Sequence, residues 1–168
     1  MSDRVAPAIR PMTSADLRRV LDLERELFSD PWPESLFHEE LQRTEIALPL
    51  VAEVDAVIIG YSMLAWVYDE VHLENLAVDR AWWGRGIAQA LLDDAFERAA
   101  ARELVSMLLE VRSGNVRAQR FYERNGFARL SVRRRYYQEP VEDAIVMSRS
   151  VRRLPEPGAG LPTTGTPA

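Results

Sequence analysis

Apolar residues along the chain recur with two spacings, one typical of helices and the other typical of strands. Two long segments, residues 13–28 and 84–102, have the helical spacing of about three to four residues. Shorter helices are predicted at 34–42 and at 115–126, the latter ended by Asn125-Gly126. The predicted buried faces of the two long helices are Leu17, Val20, Leu21, Leu23 and Leu27, and then Ile87, Ala90, Leu91, Ala95 and Phe96.

The other apolar runs are short and predict strands. These runs are residues 8–12, 47–55, 56–69, 70–79, 104–112, 127–137 and 142–151. A turn at Asp55 and Ala56 is expected to join two of them into a hairpin, and the last two runs form a closing antiparallel pair. The order of elements predicts a mixed α/β fold with one or two crossover connections and no internal repeat.

The strand-like alternation slips within "VHLENLAVD". Val71 and Leu73 share one parity, whereas Leu76 and Val78 share the other. A β-bulge at residues 74–75 explains the slip, and it would splay the neighbouring strands and leave backbone groups free to bond a ligand. A strand buried on both faces, which needs no alternation, is the alternative.

Length and composition indicate one folded domain with a short tail. The chain has 168 residues, 47% of them hydrophobic and 28% charged, which is enough for a single globular core. We expect the domain to span residues 1–154, with residues 1–8 frayed. The segment "PEPGAGLPTTGTPA", residues 155–168, is predicted to be a disordered and inert terminus, with a linker or docking tail as the alternative.

Charge and residue usage exclude several classes of protein. The chain has no cysteine, which excludes a disulfide framework, a cysteine nucleophile and a thiolate metal site. The net charge of −5 argues against nonspecific nucleic-acid binding and suits a basic substrate. His38 and His72 are too few and too scattered to predict a metal site. With no apolar run long enough for a membrane span and no signal-peptide pattern, a cytoplasmic protein is expected, without direct nucleic-acid or membrane contacts.

A glycine turn precedes the second long helix, in "RAWWGRGIAQALL". A helix N-terminus leaves backbone N–H groups without partners and carries partial positive charge. Gly84 and Gly86 would clear space for an anion there, and Arg85 would add charge. A tight strand-to-helix turn without a ligand is the alternative, because the spacing matches neither the dinucleotide fingerprint nor the P-loop.

The turn and its surroundings resemble the GCN5-related N-acetyltransferase (GNAT) family. The acetyl-CoA signature of that family, Gln/Arg-x-x-Gly-x-Gly/Ala, aligns with residues 83–88. Trp83 occupies the first position, which affects only a side-chain contact, because the family binds pyrophosphate through backbone N–H groups. The resemblance covers residues 8–150. Three segments, "FSDPWPESLF", "LEVRSGNVRAQRFY" and "RRRYYQEPVEDAIVM", are most similar to the bacterial RimI-type ribosomal-protein-alanine N-acetyltransferases within the family.

This resemblance implies a fold and a cosubstrate. The expected GNAT fold has a mixed, mostly antiparallel central sheet, flanking helices and a splayed, bulged strand at the acetyl-CoA site. Acetyl-CoA is the expected cosubstrate, and no metal is expected. The residues implied to bind acetyl-CoA are Leu76, Ala77, Val78, Gly84, Arg85, Gly86, Ile87, Ala88, Asn115 and Tyr122, with the first three contributing backbone groups.

Glu110 is the candidate general base. It lies in the apolar strand "SMLLEVR", where burial would raise the pKa of a carboxylate toward the working pH. The resemblance places the catalytic glutamate of the subfamily at this position. An ion pair across strands, involving Arg112 on the same face, is the alternative.

Tyr122 is the candidate general acid. It lies seven residues after Asn115, so about two helical turns bring both residues near one face. The family has a tyrosine here that protonates the leaving thiolate, and an asparagine that contacts the pantetheine arm. The alternatives are a core tyrosine for Tyr122 and a helix N-cap for Asn115.

Aromatic residues are the candidates for acceptor binding. Trp32 lies in a loop bracketed by prolines, and Tyr136 and Tyr137 are adjacent, so in a regular strand they would point to opposite faces and one would enter the core. The acidic residues Glu139, Glu142 and Asp143 would suit a basic peptide, with surface solvation as the alternative for each.

The leading functional hypothesis is acetylation of the α-amine of a protein N-terminus. The resemblance implies the N-terminal alanine of a small-ribosomal-subunit protein as the acceptor and a ribosomal protein as the partner. A GNAT enzyme that acetylates lysine or a small-molecule amine is one alternative. A CoA-binding module without catalysis is the other, although such a module would need neither Glu110 nor Tyr122.

Overall fold

The fold is known from a computed structural model, which describes residues 4–151. Within these residues the chain forms seven strands and four helices, and the predicted α/β class and element order are confirmed. The predicted tail at 155–168 lies outside the described residues. The elements are β1 (Ala8–Pro11), α1 (Leu17–Leu27), α2 (Glu34–Gln42), β2 (Ala47–Val54), β3 (Val57–Val67), β4 (Glu70–Val78), α3 (Ile87–Ala101), β5 (Ser106–Arg112), α4 (Val116–Arg124), β6 (Ala128–Gln138) and β7 (Val141–Ser150).

The first helical segment begins with a capping box formed by Thr13 and Asp16. A single 3-10 turn, Ser14–Asp16, precedes α1. The carboxylate of Asp16 accepts a hydrogen bond from the backbone N–H of Thr13 at 2.8 Å, which stabilises this end of the helix. Arg10 donates two further hydrogen bonds to Asp16, and the pKa of Asp16 is lowered to about 2, chiefly by Arg10.

All seven strands belong to one sheet, in the order β1-β2-β3-β4-β5-β7-β6. Only β4 and β5 are parallel, and α3 forms the crossover between them. Their pairing is short: residues 70–72 of β4 pair with residues 106–108 of β5. Beyond this point the two strands separate, and we call this place the fork.

The predicted β-bulge is confirmed, and it changes which face of the sheet the side chains of β4 reach. Met63 of β3 pairs with Asn75, but the next residue of β3 pairs with Leu73, so Glu74 is the extra residue. Leu73 packs with α3 and α4, whereas Ala77, four residues later, packs with α1 and α2. In a regular strand an even spacing would keep both on one face, so the bulge accounts for the slip in the sequence pattern.

Helices cover both faces of the sheet. On one face, α3 and α4 pack over a cluster that includes Leu73, Met107 and Leu109. On the other face, α1 and α2 pack over Val51, Tyr61 and other residues of β2 and β3. Residues of β5 alternate between the two, so the side chain of Glu110 lies on the α1/α2 face while its neighbours at 109 and 111 lie on the other.

Candidate active site

A groove of about 720 Å³ opens between the separated part of β4, the beginning of α3 and the α4 helix. It starts at the fork and therefore depends on the bulge. The groove contains all ten residues that the sequence assigns to acetyl-CoA binding, namely Leu76, Ala77, Val78, Gly84, Arg85, Gly86, Ile87, Ala88, Asn115 and Tyr122. The fold thus brings three separate segments of the chain to one surface.

The backbone of β4 faces two directions beyond the bulge. The N–H of Asp79 donates to the carbonyl of Ile59 on β3 at 2.8 Å. Because bonded residues alternate along an antiparallel ladder, Ala77 also directs its backbone groups to β3, while Leu76 and Val78 direct theirs into the fork. The backbone groups of Leu76 and Val78 therefore point into the fork, whereas those of Ala77 point to β3. Binding of a ligand by any of these three residues stays a prediction.

Two glycines start the turn into α3 with left-handed backbone. Gly84 has φ of +77° and Gly86, the N-cap of α3, has φ of +86°. Residues with a side chain rarely adopt such angles, so the turn itself requires glycine and the helix begins at Ile87 rather than at residue 84. Apart from the glycine itself and its two chain neighbours, no atom of the described residues lies within 4 Å of a β-carbon built on Gly84 or Gly86, so the space beside the first turn is open.

Substituting Gly86 separates these two roles of glycine. Gly86→Ala is expected to weaken acetyl-CoA binding at least about tenfold, because the new methyl group enters the open space where phosphates would meet the first N–H groups of α3. The matched control is Gly126→Ala, since Gly126 has φ of +84° and lies at the end of α4. Both variants share the left-handed strain of about 1–2 kcal/mol. Calorimetric titration with acetyl-CoA checks this, and equal affinities of the two variants would contradict it.

Arginine and tryptophan side chains surround the turn, and sequence reasoning missed most of them. The indole N–H of Trp83 donates to the carbonyl of Val78 at 2.8 Å, which fixes the ring at the fork. The guanidinium of Arg117 lies 3.8 Å from the centre of that ring. Arg117 and Arg124 both line the groove, and their seven-residue spacing on one helix was the signal available in the sequence. The groove therefore carries positive charge suited to a phosphorylated ligand.

Asn115 and Tyr122 both line the groove, and each also makes contacts that stabilise the fold. The side-chain oxygen of Asn115 accepts from the N–H of Ala118 at 3.1 Å, so the predicted N-cap is present. The ring of Tyr122 packs against Phe121 and Phe127, so it is also a core tyrosine. Burial raises the pKa of Tyr122, which keeps its hydroxyl protonated at neutral pH.

Glu110 is paired, but not with the residue expected. Its Oε2 lies 2.5 Å from Nε2 of His72 on β4, and its Oε1 lies 3.6 Å from Nη2 of Arg133 on β6. Arg112, the partner named in the alternative interpretation, instead pairs with Glu142 at 3.2 Å. The ion pair across strands is therefore present, but Arg112 takes no part in it because its side chain, although on the same face, extends toward the turn between β6 and β7.

The predicted elevation of the Glu110 pKa is also wrong. Burial is the largest influence on this carboxyl and opposes its ionisation, but the hydrogen bond from His72 and the positive charges of His72 and Arg133 outweigh it. The pKa of Glu110 is therefore lowered. The pKa of His72 is raised, chiefly by its hydrogen bond to Glu110. Ionised Glu110 and a more basic His72 thus stabilise each other.

Tyr136 and Tyr137 do not diverge as a regular strand would require. Their ring centroids lie 5.1 Å apart in an edge-to-face contact, so neither ring crosses into the core. The reason is an irregularity in β6, where Arg135 has φ of +53° and the pairing with β7 shifts between Arg133 and Tyr137. Tyr136 remains 45% exposed on this surface.

Two of the acidic residues proposed to meet a basic peptide are already engaged within the chain. Glu142 accepts a hydrogen bond from the backbone N–H of Gly114 at 2.6 Å, which is the main reason that its pKa is lowered. Asp143 accepts from the N–H of Arg135 at 2.8 Å. These contacts give both carboxylates a structural role at the hairpin of β6 and β7.

Trp32 belongs to a buried network that the sequence did not reveal. Its ring packs on Phe37, and its backbone N–H donates to the carboxylate of Glu24 at 3.0 Å. Glu24 is 1% exposed and also accepts from the hydroxyl of Tyr61 and from the side-chain amide of Asn75, the latter at 3.0 Å. This cluster, the Glu24 network, ties the loop between α1 and α2 to the bulge in β4. Burial raises the pKa of Glu24.

Two features are absent from residues 4–151. No group of three or more His, Cys, Asp or Glu side chains in these residues is arranged to hold a metal ion. No helix among them is long and apolar enough to cross a membrane.

The fold and the groove agree with the family to which the sequence assigns the chain. The chain belongs to the Acetyltransferase (GNAT) family, whose sequence model matches residues 17–127. It is therefore an acyltransferase of the N-acetyltransferase class, and the alternative of a module without catalysis is set aside.

Among the similar proteins are enzymes whose names give the N-terminal alanine of a ribosomal protein, or an α-amine, as the acceptor. The chain is 32% identical over 139 residues to the ribosomal protein bS18-alanine N-acetyltransferase of Salmonella typhimurium, covering 82% of this chain and 93% of that protein. It is 32% identical over 154 residues to the N-alpha-acetyltransferase RimI of Mycobacterium tuberculosis, covering 88% and 95%. The crystal structure of the ribosomal-protein-S18-alanine N-acetyltransferase of Escherichia coli superposes with a TM-score of 0.81 at 28% identity, covering 90% of this chain and 98% of that one. The predicted GNAT fold is thus confirmed.

Proposed function

We propose that the enzyme transfers an acetyl group from acetyl-CoA to the α-amine of a protein N-terminus, the acceptor being the N-terminal alanine of a ribosomal protein. This proposal rests on the similarity to a ribosomal protein bS18-alanine N-acetyltransferase, to which the chain is 32% identical over 93% of that protein's length. A ribosomal protein is then the partner of the enzyme.

The groove fits acetyl-CoA by its own chemistry. Backbone groups of Leu76 and Val78 at the fork would hold the pantetheine arm, and the first turn of α3 with Arg117 would hold the phosphates. When bound, acetyl-CoA supplies an acetyl thioester that an amine can attack. The residues of the chain then have to orient the amine, remove its proton and stabilise the departing thiolate.

Glu110 and Tyr122 are proposed for the two protonic roles. Glu110 lies on the α1/α2 face of the sheet, next to the fork, where it would draw the proton from the incoming ammonium. Tyr122 lines the groove on the opposite face, where its hydroxyl would donate to the thiolate. On this proposal, the thioester of acetyl-CoA and the incoming amine would approach the fork from opposite faces of the sheet.

The acid–base properties favour an α-amine over a lysine. An α-amine has a pKa of about 7.7–8.0, whereas the amine of lysine lies near about 10.4. Glu110 has a lowered pKa and is a weak base, so an acceptor that is already partly neutral at pH 7 suits this site better.

The test is acetyl transfer followed by intact-mass spectrometry. One basic peptide begins with alanine, contains one internal lysine and is supplied with its N-terminus either free or blocked. We expect one acetyl group on the free peptide and none on the blocked peptide. A matched peptide that begins with methionine tests the preference for alanine. Labelling of both the free and the blocked alanine peptides would overturn α-amine specificity in favour of lysine.

A further inference from the structure

The indole of Trp83 occupies a backbone acceptor inside the groove. Its N–H donates to the carbonyl oxygen of Val78 at 2.8 Å. That carbonyl lies beyond the fork, where β4 no longer pairs with β5, and the ring of Trp83 lines the same groove. Trp83 stands at the signature position that the family fills with glutamine or arginine, so this contact is a feature of the present chain.

The proposed function needs the same carbonyl. A pantetheine arm carries amide N–H groups, and on that proposal they would bond to backbone groups of Leu76 and Val78. A carbonyl oxygen can accept two hydrogen bonds. An arm that lies along β4, however, also enters the space beside Val78 that the ring of Trp83 lines. The indole and the arm therefore compete for one acceptor and for one volume.

A short turn after β4 brings the ring of Trp83 back over the fork. The turn is a 3-10 helix, Arg80–Trp82. Asp79 holds its backbone by accepting from the N–H of Ala81 at 3.0 Å, and Asp79 also pairs with Arg19 of α1 at 2.6 Å. The side chain of Trp83 can therefore rotate while the backbone of the turn stays in place.

The surroundings of Trp83 allow its ring to move. Trp83 is 44% exposed, whereas its neighbour Trp82 packs against the apolar cluster beneath α3. The guanidinium groups of Arg117 and Arg80 lie 3.8 Å and 5.8 Å from the centre of the Trp83 ring, on long and flexible side chains. Moving the ring therefore breaks one hydrogen bond and two cation–π contacts, without disturbing the cluster that Trp82 joins.

Building on the acetyl-CoA site of the proposed function, we propose that the indole of Trp83 is a gate, which competes with the pantetheine arm for the carbonyl of Val78 and releases it when the arm binds. Binding of the donor then includes the breaking of this hydrogen bond, so Trp83 lowers the affinity for acetyl-CoA. The same competition favours the departure of CoA after the transfer, because the indole regains its acceptor when the arm leaves. The Trp83 gate thus regulates the donor site without touching the reacting atoms.

The first experiment compares the affinities of the unmodified enzyme and of Trp83→Phe for CoA by calorimetric titration. Phenylalanine keeps an aromatic ring beside Arg117 but has no N–H to donate. The net strength of an ordinary hydrogen bond corresponds to a factor of about two to ten in affinity, and we expect CoA to bind Trp83→Phe more tightly by this factor. Equal or weaker binding would overturn the proposal.

Two controls isolate the hydrogen bond. Trp66→Phe changes a half-buried tryptophan that also lies 4.4 Å from an arginine, Arg102, but that is on β3 and outside the groove, so this variant should keep the CoA affinity of the unmodified enzyme. ADP has a pyrophosphate but no pantetheine arm, and its affinity should be the same with and without Trp83→Phe. An equal gain for ADP and CoA would overturn the proposal, because the ring would then obstruct the phosphates and not the carbonyl of Val78.

The second experiment follows the indole N–H signals of the full chain, which has four tryptophans, by NMR. Trp83→Phe assigns the signal of Trp83. We expect CoA to shift this signal and to speed the exchange of its proton with water, because the proton is no longer bonded to the carbonyl of Val78. A signal of Trp83 with the same position and the same exchange rate at saturating CoA would overturn the proposal.

The outcomes separate this proposal from the proposed function. Both experiments are made without an acceptor, so they do not depend on which amine the enzyme acetylates. If transfer occurs only to lysine or to a small amine, the proposed acceptor is wrong, and the Trp83 gate is tested all the same. If CoA binds neither the unmodified enzyme nor Trp83→Phe, the proposed donor site is wrong and the gate is overturned with it.

Discussion

Replacing Tyr122 with phenylalanine is expected to lower kcat about 10²–10³-fold, the range for removing one donor that stabilises developing charge. The change removes only the hydroxyl, and the ring keeps its contacts with Phe121 and Phe127. Because burial raises the pKa of Tyr122, the hydroxyl is protonated at the working pH and can donate to the departing thiolate. Steady-state kinetics with saturating acetyl-CoA and peptide measures the loss.

The control for this variant is Tyr68→Phe, which removes a hydroxyl from a residue that is 96% exposed. Tyr68→Phe should leave kcat unchanged. Tyr122→Phe should keep its acetyl-CoA affinity and its melting temperature close to those of the unmodified enzyme. A full kcat in Tyr122→Phe, or a loss of kcat accompanied by an equal loss of acetyl-CoA affinity, would contradict the assigned role.

The second large effect is expected in stability, from Glu24→Ala. The substitution leaves one buried donor, on Tyr61, and two half-buried donors, on Trp32 and Asn75, without their shared acceptor. Each unsatisfied buried donor costs about 1–3 kcal/mol, so we expect the free energy of unfolding to fall by about 3–5 kcal/mol. Chemical denaturation at pH 7 measures this difference.

A glutamate on the same helix provides the control. Glu26 is exposed, so Glu26→Ala should change the free energy of unfolding by less than about 0.5 kcal/mol. A double-mutant cycle with Tyr61→Phe tests the contact itself, because Tyr61→Phe should cost less in the Glu24→Ala background than alone. Equal losses in Glu24→Ala and Glu26→Ala would show that the Glu24 network contributes nothing.

Local sequence patterns predicted the backbone features around the site, namely the bulge in β4 and the turn before β3. The parity slip between Leu73 and Leu76 located the bulge, because side chains alternate along a strand and one extra residue reverses the order. The turn at Asp55 and Ala56 was also predictable, and both residues have positive φ. Such features depend on a few neighbouring residues, all visible in the sequence.

Contacts between distant segments were not predictable in the same way. His72 and Glu110 are 38 residues apart, and their meeting depends on the register of β4 against β5. Glu24 looked like one polar residue of an amphipathic helix, since nothing nearby in the sequence shows that it is buried. The pKa of Glu110 was mispredicted for the same reason, because burial alone was visible in the pattern and the cationic partner was not.

The bulge at Glu74 also separates a surface that offers backbone groups from a surface that offers side chains. On the proposed assignment, Leu76 and Val78 hold the acetyl donor through main-chain groups, which every residue except proline carries. The acceptor instead meets side chains on the opposite face, among them His72 and Tyr136. Substitutions at Leu76 and Val78 would then hardly affect the binding of the donor. Single substitutions on the other face would instead change which acceptor is preferred. On this proposal, one additional residue in one strand would let the choice of acceptor change while the binding of the donor stays constant.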